Sequence, residues 1–268
     1  MSFFYPSITS ERRHEDFPLQ VARGQIPGHR NVTVFGFNGD VDTSQVSVWP
    51  LPSLISFPAT ALQMKVSSTS ANDTSAGTGA WTVVVQGLDE NYNEVSETVT
   101  MNGQTAVTMT NALLRVNYAS VVTTGSGNSA AGDIYVGTGT VTAGVPATVY
   151  DIIKFDYNVS TTGSFTVPAG HTAYVSQGLF SAGQSVGSSP VQGRLLTRGL
   201  DNIRRTAAAT TVNNSVADYV FEYPLAVPEK TTIEATAIGT ASNNSVSSMF
   251  IILLVKGATA GAPGTPWN

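Results

Sequence analysis

Apolar positions along this chain either alternate with polar ones or gather in short runs, and no useful stretch keeps the 3.6-residue period of an amphipathic helix. Val95, Glu97, Val99 and Met101 alternate with small polar residues. Ile153, Phe155, Tyr157 and Val159 do the same, as do Tyr219, Phe221 and Tyr223. Thr, Val and Ile, which suit a pleated half-buried surface, dominate these runs. Gly, Pro, Asn and Ser clusters interrupt them about every ten residues, the spacing of a β-sandwich or barrel. The pattern predicts an all-β chain. Residues 81–88 predict a core strand containing Trp81, which turns through Asp89–Asn93 into a second strand over 94–101. Asn102-Gly103 predicts a type I′ hairpin into 105–109, because both residues accept positive φ.

The punctuation divides the chain into two antiparallel β-sandwich domains, at 31–147 and 148–256, preceded by an extended N-terminal arm at 1–30. The Gly/Thr-rich stretch 137–146 marks the expected boundary. Eight candidate strands in 148–256 make the second domain jelly-roll-like. Residues 257–268 read as a flexible tail with Trp267 as its one anchor. The arm mixes Phe3, Phe4, Tyr5 and Phe17 with a charge cluster holding Arg12 and Arg13, and Arg23 follows. A segment of this kind rarely packs its aromatics within itself, so it is expected to lie on a neighbour or on the other domain. Phe3, Phe4, Tyr5, Arg12, Arg13, Phe17, Arg23 and Trp267 are the candidate assembly contacts.

Composition sharpens this picture. Charged residues make up 12% of the chain, against about 25% in an average soluble protein. Such a surface has little self-repulsion and suits copies that cover one another. The net charge of −5 argues against a nucleic-acid partner, which needs a basic stripe to displace phosphate counterions. Arg194, Arg198, Arg204 and Arg205 form the one basic concentration, open to an acidic neighbour or to solvent. No cysteine is present, which excludes disulfides, thiolate metal sites and thiol nucleophiles. Residues 1–20 lack a basic-then-apolar leader, and the seven-residue apolar run Met249–Val255 is too short to cross a membrane as a helix. No membrane partner is expected.

Catalytic signals are weak. Gly183-Gln184-Ser185-Val186-Gly187 matches the nucleophile-elbow text, but the last histidine, His171, precedes the serine, and no helix pattern follows. His14, His29 and His171 share no metal-ligand spacing. Asp89–Glu94 opens like a calcium loop, yet Glu94 stands where such a loop needs glycine, so a hairpin turn is expected. No catalytic, cofactor-binding or metal site is expected, and the chain reads as a non-enzyme.

The segments Gln20–His29, Val34–Asn38, Ala71–Ala80 and Val85–Glu94 together resemble virion proteins of tailed bacteriophages, of the kind found in short-tailed phages of aquatic bacteria. The likeness spans about residues 20–138. It implies a virion location, with synthesis in the host cytoplasm, and transfers no catalytic residue. The expected role is a capsid decoration, or cement, protein. It would bind the major capsid protein and copies of itself as a homotrimer and stabilise the head. The alternative is a tail or neck component, such as a fibre adaptor or a receptor- or carbohydrate-binding module. Exposed aromatics, with Trp49, Trp81 and Trp267 as candidates, would mark the last of these.

Overall fold

A computed structural model describes residues 15–184 and 189–257. These residues form an all-β chain of antiparallel sheets. A short helix, α1 (Phe17–Ala22), starts with proline in its first turn and precedes the strands. The strands are β1 (His29–Val41), β2 (Val46–Ser47), β3 (Leu62–Ser68), β4 (Ala80–Leu88), β5 (Glu94–Thr100), β6 (Val107–Leu113), β7 (Arg115–Thr124) and β8 (Ile134–Thr142). They continue with β9 (Val145–Ile153), β10 (Ser164–Thr166), β11 (His171–Gly183), β12 (Val191–Arg198), β13 (Arg204–Val212), β14 (Ser215–Val227), β15 (Thr232–Gly239) and β16 (Asn244–Lys256).

Four sheets result. Sheet I has the order β1-β16-β11-β14, and sheet II the order β10-β15-β12-β13, with β2 added on β15. Sheet III is β6-β3-β8-β9 and sheet IV is β5-β4-β7. Two large apolar clusters follow this grouping. Val34, Val175, Phe180, Ile233, Phe250 and Ile252 belong to one that draws on sheets I and II. Met64, Val83, Val85, Met109, Leu113 and Ile134 belong to another that draws on sheets III and IV. A smaller cluster sets Trp49 and Ile55 against Tyr135, Val149 and Ile152.

Strand pairing does not follow the expected division at residues 30 and 147. β1 was grouped with the first half, yet it pairs antiparallel with β16 from His29↔Val255 to Val41↔Asn244. β2 pairs with β15 at Thr236↔Ser47. β1, β2 and β10 to β16 therefore build sheets I and II, and β3 to β9 build sheets III and IV between them in sequence. The expected boundary over 137–146 falls inside the β8–β9 hairpin. There Ala143 and Gly144 both have positive φ (+48° and +83°), the type I′ geometry, between the paired Thr142 and Val145. The glycines serve close packing as well. A Cβ on Gly137 would lie 2.2 Å from the Thr148 carbonyl.

Asn102-Gly103 is no hairpin. β5 pairs with β4 while β6 pairs with β3, so the chain changes sheets there. Only Gly103 takes positive φ, and the Thr105 N–H closes the turn on the Asn102 carbonyl. The expected strand over 149–159 stops at Ile153, and positive φ at Asp156 and Asn158 turns the chain. Phe155 is consequently exposed, and Tyr157 leaves the strand to stack on Phe35 and Phe37, at 5.9 and 5.8 Å between ring centres. Trp81 is not core. Register shifts on either side of Thr82 put Ala80, Val83 and Val85 inside and leave Trp81 partly exposed. Asp89–Asn93 does turn β4 into β5, with Leu88 paired to Glu94.

Candidate functional site

Three polar clusters and one apolar edge are the places where side chains could do more than fill a core. The first cluster explains the Ala71–Ala80 segment. Asp73 is fully buried and accepts four hydrogen bonds. Its Oδ1 takes the Ala80 and Ala131 N–H groups at 2.6 and 2.8 Å. Its Oδ2 takes the Ser68 hydroxyl and the Gly132 N–H at 2.5 and 3.0 Å. A Cβ on Gly79 would come within 2.1 Å of Asp73 Oδ1, so the glycine is needed for the loop to close around the carboxylate. Asp73 thus ties three separate chain segments together.

The second cluster lies under a cleft of about 620 Å³ between β1 and sheet IV. Arg30 of β1 and Glu94 of β5 form an ion pair on its wall, and Asn117 and Ser160 also line it. The Asn117 side chain takes the place of a strand neighbour to β10. It donates to the Thr166 carbonyl and accepts from the Thr166 N–H, both at 2.8 Å. Beneath Ser160 sits Asp151, fully buried. Burial pushes its carboxyl up to about 6 against the lowering effect of bonds from Ser160 and the Ile152 N–H. Thr162 adds a further lowering contact, but neither its hydroxyl nor Asp151 Oδ2 reaches a well-formed hydrogen bond.

The third cluster absorbs most of the basic concentration. Glu234, fully buried, accepts from the Ser47 hydroxyl and pairs with Arg204 Nε at 3.3 Å and Arg198 Nη2 at 3.8 Å. Two guanidinium groups lie over the Phe57 ring, Arg198 at 4.3 Å and Arg115 at 4.4 Å from its centre. Burial lowers Arg198 to about 10, Glu234 opposes that, and Arg204 and Arg115 add to it. The group keeps its charge at neutral pH. Arg205 pairs separately with Asp201, and Arg194 donates to Gln192. The four arginines therefore do not form one surface patch.

The apolar edge belongs to β13 and β14, which occupy the ends of sheets II and I. Val216, Tyr219, Val220 and Tyr223 of β14 are exposed, Tyr223 at 83%. Between the two strands runs a groove of about 170 Å³, lined by Phe180, Leu195, Ala208, Ala209, Phe221 and Met249. Tyr219 packs edge-on against Phe221 at 4.7 Å. β14 also bulges. Val175 faces Leu225 and Gln177 faces Val220, so residues 221–224 stand opposite Ser176 alone. β14 carries devices that blunt an edge, the bulge with Asp218, Glu222 and Pro224, yet its aromatics protrude beside them. The sequence shows the alternation of Tyr219, Phe221 and Tyr223 and the strand it implies, but not that this strand lies at a sheet edge. The missing signal was the topology, which leaves β14 with one neighbour.

Of the expected contact residues, Phe17 and Arg23 are placed. Phe17 is half-exposed on α1, edge-on to His29 at 5.9 Å, and Arg23 pairs with Glu15 at 2.5 Å. Phe3, Phe4, Tyr5, Arg12, Arg13 and Trp267 lie outside the described residues, as does Ser185. Trp49 is buried, and the Trp81 indole N–H donates to the Gly77 carbonyl at 2.8 Å. Asp89 holds its turn through the Asn91 and Asn93 N–H groups, both at 2.8 Å. Burial works to raise the Asp89 carboxyl, but these bonds and the Asn93 side chain leave it below the ordinary value. No group of three or more metal-ligating side chains occurs among the described residues. None of their helices is long and apolar enough to cross a membrane.

No protein-family model matches the chain, and no curated protein matches it. Among solved structures, it is similar to the VP2 subviral particle of infectious bursal disease virus. Identity is 10%, with 85% of this chain and 72% of that chain covered and a TM-score of 0.22. The T13 particle of the same virus gives 10% identity over 87% of this chain and 74% of that chain, at a TM-score of 0.19.

Proposed function

We propose that this chain is a structural protein of a tailed-phage particle, a capsid decoration protein that binds the major capsid protein and copies of itself, as a homotrimer, without turnover. The carrying observation is the strand order of sheets I and II. Counted along the chain, β1 and β10 to β16 are eight strands, and they lie in the orders 1-8-3-6 and 2-7-4-5. That is the double-sheet order of a jelly roll, an architecture of capsid and lectin domains. On this reading β3 to β9 form a second β-sandwich inserted after the first jelly-roll strand. The segment that resembles phage virion proteins falls mostly in this insert.

A binding role without chemistry agrees with how the buried acids are spent. Asp73 and Glu234 each bond to several neighbours, and Asp151 lies beneath the cleft floor. Fold alone never assigns function, so the test is made on particles. Tagged antibody labelling of intact virions, with quantitative mass spectrometry, should find the protein on the head in hundreds of copies. About six or twelve copies at the tail would replace this reading by the tail or neck alternative. Absence from the virion would end both.

A further inference from the structure

The groove between β13 and β14 has a largely apolar lining that includes Asp218, and Glu222 stands four residues further along β14. Asp218 and Glu222 of β14 are both exposed, and neither forms an ion pair with a described residue. Asp218 accepts one bond, from Gln177 Nε2 at 2.9 Å. Residues 1–14, outside the described residues, carry the complementary chemistry: Phe3, Phe4 and Tyr5, then Arg12 and Arg13. We infer that the groove and the β14 edge receive residues 1–14 of a second copy of this chain, with the aromatics in the groove and the two arginines on Asp218 and Glu222. This names the surface for the self-assembly in the proposed function and rests on that reading only for its setting.

Reach of the two arginines favours a neighbour's segment over the chain's own. Phe17 packs on His29, at the end of sheet I where His29, Lys256 and His171 lie side by side. Asp218 pairs with Leu179, eight residues further along β11, or about 26 Å at 3.3 Å per residue. β14 is also three strand positions from β1, about 14 Å across. The acids are thus roughly 30 Å from the start of β1, or somewhat less for Glu222 in its bulge. Arg13 stands two residues before Glu15, which Arg23 holds next to α1, and two extended residues span about 7 Å. The backbone at Arg13 therefore stays well short of its own acids, whereas the chain's own Phe3, Phe4 and Tyr5, ten to twelve residues before Glu15, span about 33–40 Å and reach the groove, so the cross-link below separates the two. A neighbour's arginines can meet the acids, and exchange of an identical segment is a low-cost route to a closed oligomer. The unpaired β14 edge offers main-chain bonds to an extended segment as well.

The full-length chain is examined by sedimentation velocity as concentration rises. Self-association is expected, and it should weaken roughly tenfold or more in R12E/R13E and in D218K/E222K, at about 1.4 kcal/mol per tenfold. Combining all four changes should restore it. All these positions are exposed or outside the described residues, and circular dichroism checks folding. A wild-type chain that stays monomeric, or a fourfold variant no better than its parents, overturns the inference. Cysteine is absent from the chain, so a Phe4→Cys, Gly178→Cys pair gives a clean second test. Nothing lies within 4 Å of a Cβ placed on Gly178. Disulfide-linked dimers and higher species support exchange, whereas intrachain bonds alone, or none, refute it. A monomer found on virions would refute this inference together with the homotrimer and leave the capsid-binding role standing; an oligomer absent from virions would refute that role and leave this inference standing.

Discussion

A single buried carboxyl gives the chain a pH response of known sign. Asp151 is raised from 3.8 to about 6, first by burial. Between those values the folded chain keeps a proton that the unfolded chain has released. Stability from this group is full below the unfolded value and is lost as pH rises through about 6. The shift corresponds to about 3 kcal/mol. The Asp151→Asn variant has no proton to lose, and its amide can donate to the idle Thr162 hydroxyl. Urea unfolding of both proteins should show the variant gaining on wild type by up to that amount between about pH 4 and pH 8. A difference that stays flat, or that favours wild type at high pH, would refute the shift. Asp73 shows the limit of sequence at this scale. Its segment was distinctive as text, but nothing local reveals that Ala131 and Gly132, far along the chain, supply half of the bonds to its carboxylate.

Elements were legible where the signal was local. The strands over 80–88 and 94–100, and the turn at Asp89, follow from alternation and turn chemistry. What alternation cannot carry is which strand lies beside which. Asn102-Gly103 reads as a hairpin and is a crossing between sheets, whereas Ala143-Gly144 is the hairpin and read as a linker. Glycine served two purposes with the same letter, turn and close approach. Gly193 of β12 is the second kind. A Cβ there would lie 2.6 Å from three atoms of the Phe180 ring on β11, across the core between sheets I and II. The Gly193→Ala change should therefore cost about 1–3 kcal/mol by overpacking. Adding Phe180→Leu should recover part of it, because the smaller side chain frees the space, although it forfeits some burial. Thermal or chemical melts of the single and double variants read this directly. Additive losses would mean that the ring and the glycine do not oppose each other.

At the scale of the molecule, β1 and β16 pair in sheet I while the segment between β2 and β10 builds its own core, and that arrangement predicts separability. The two ends of the middle segment are adjacent: the Gly163 N–H donates to the Val48 carbonyl at 3.0 Å. A linker of about three glycine or serine residues can replace residues 49–162 without moving either end. Sheets I and II keep their apolar cluster, from Val34 through Leu254, in such a chain. They lose the cover given by Ile55 and Phe57, so Arg198 and Arg204 lose a carbonyl acceptor and Arg198 its aromatic neighbour. Water can solvate those groups, and Glu234 retains both ion pairs. The excised chain should therefore fold to a β-rich body that unfolds in one cooperative step, less stable than in the parent. Its urea slope should be roughly half that of the whole chain, since the slope scales with the surface exposed on unfolding. A chain that stays unfolded would mean the junction residues, Trp49 through Phe57 and the Arg30–Glu94 pair, bind the two cores into one folding unit.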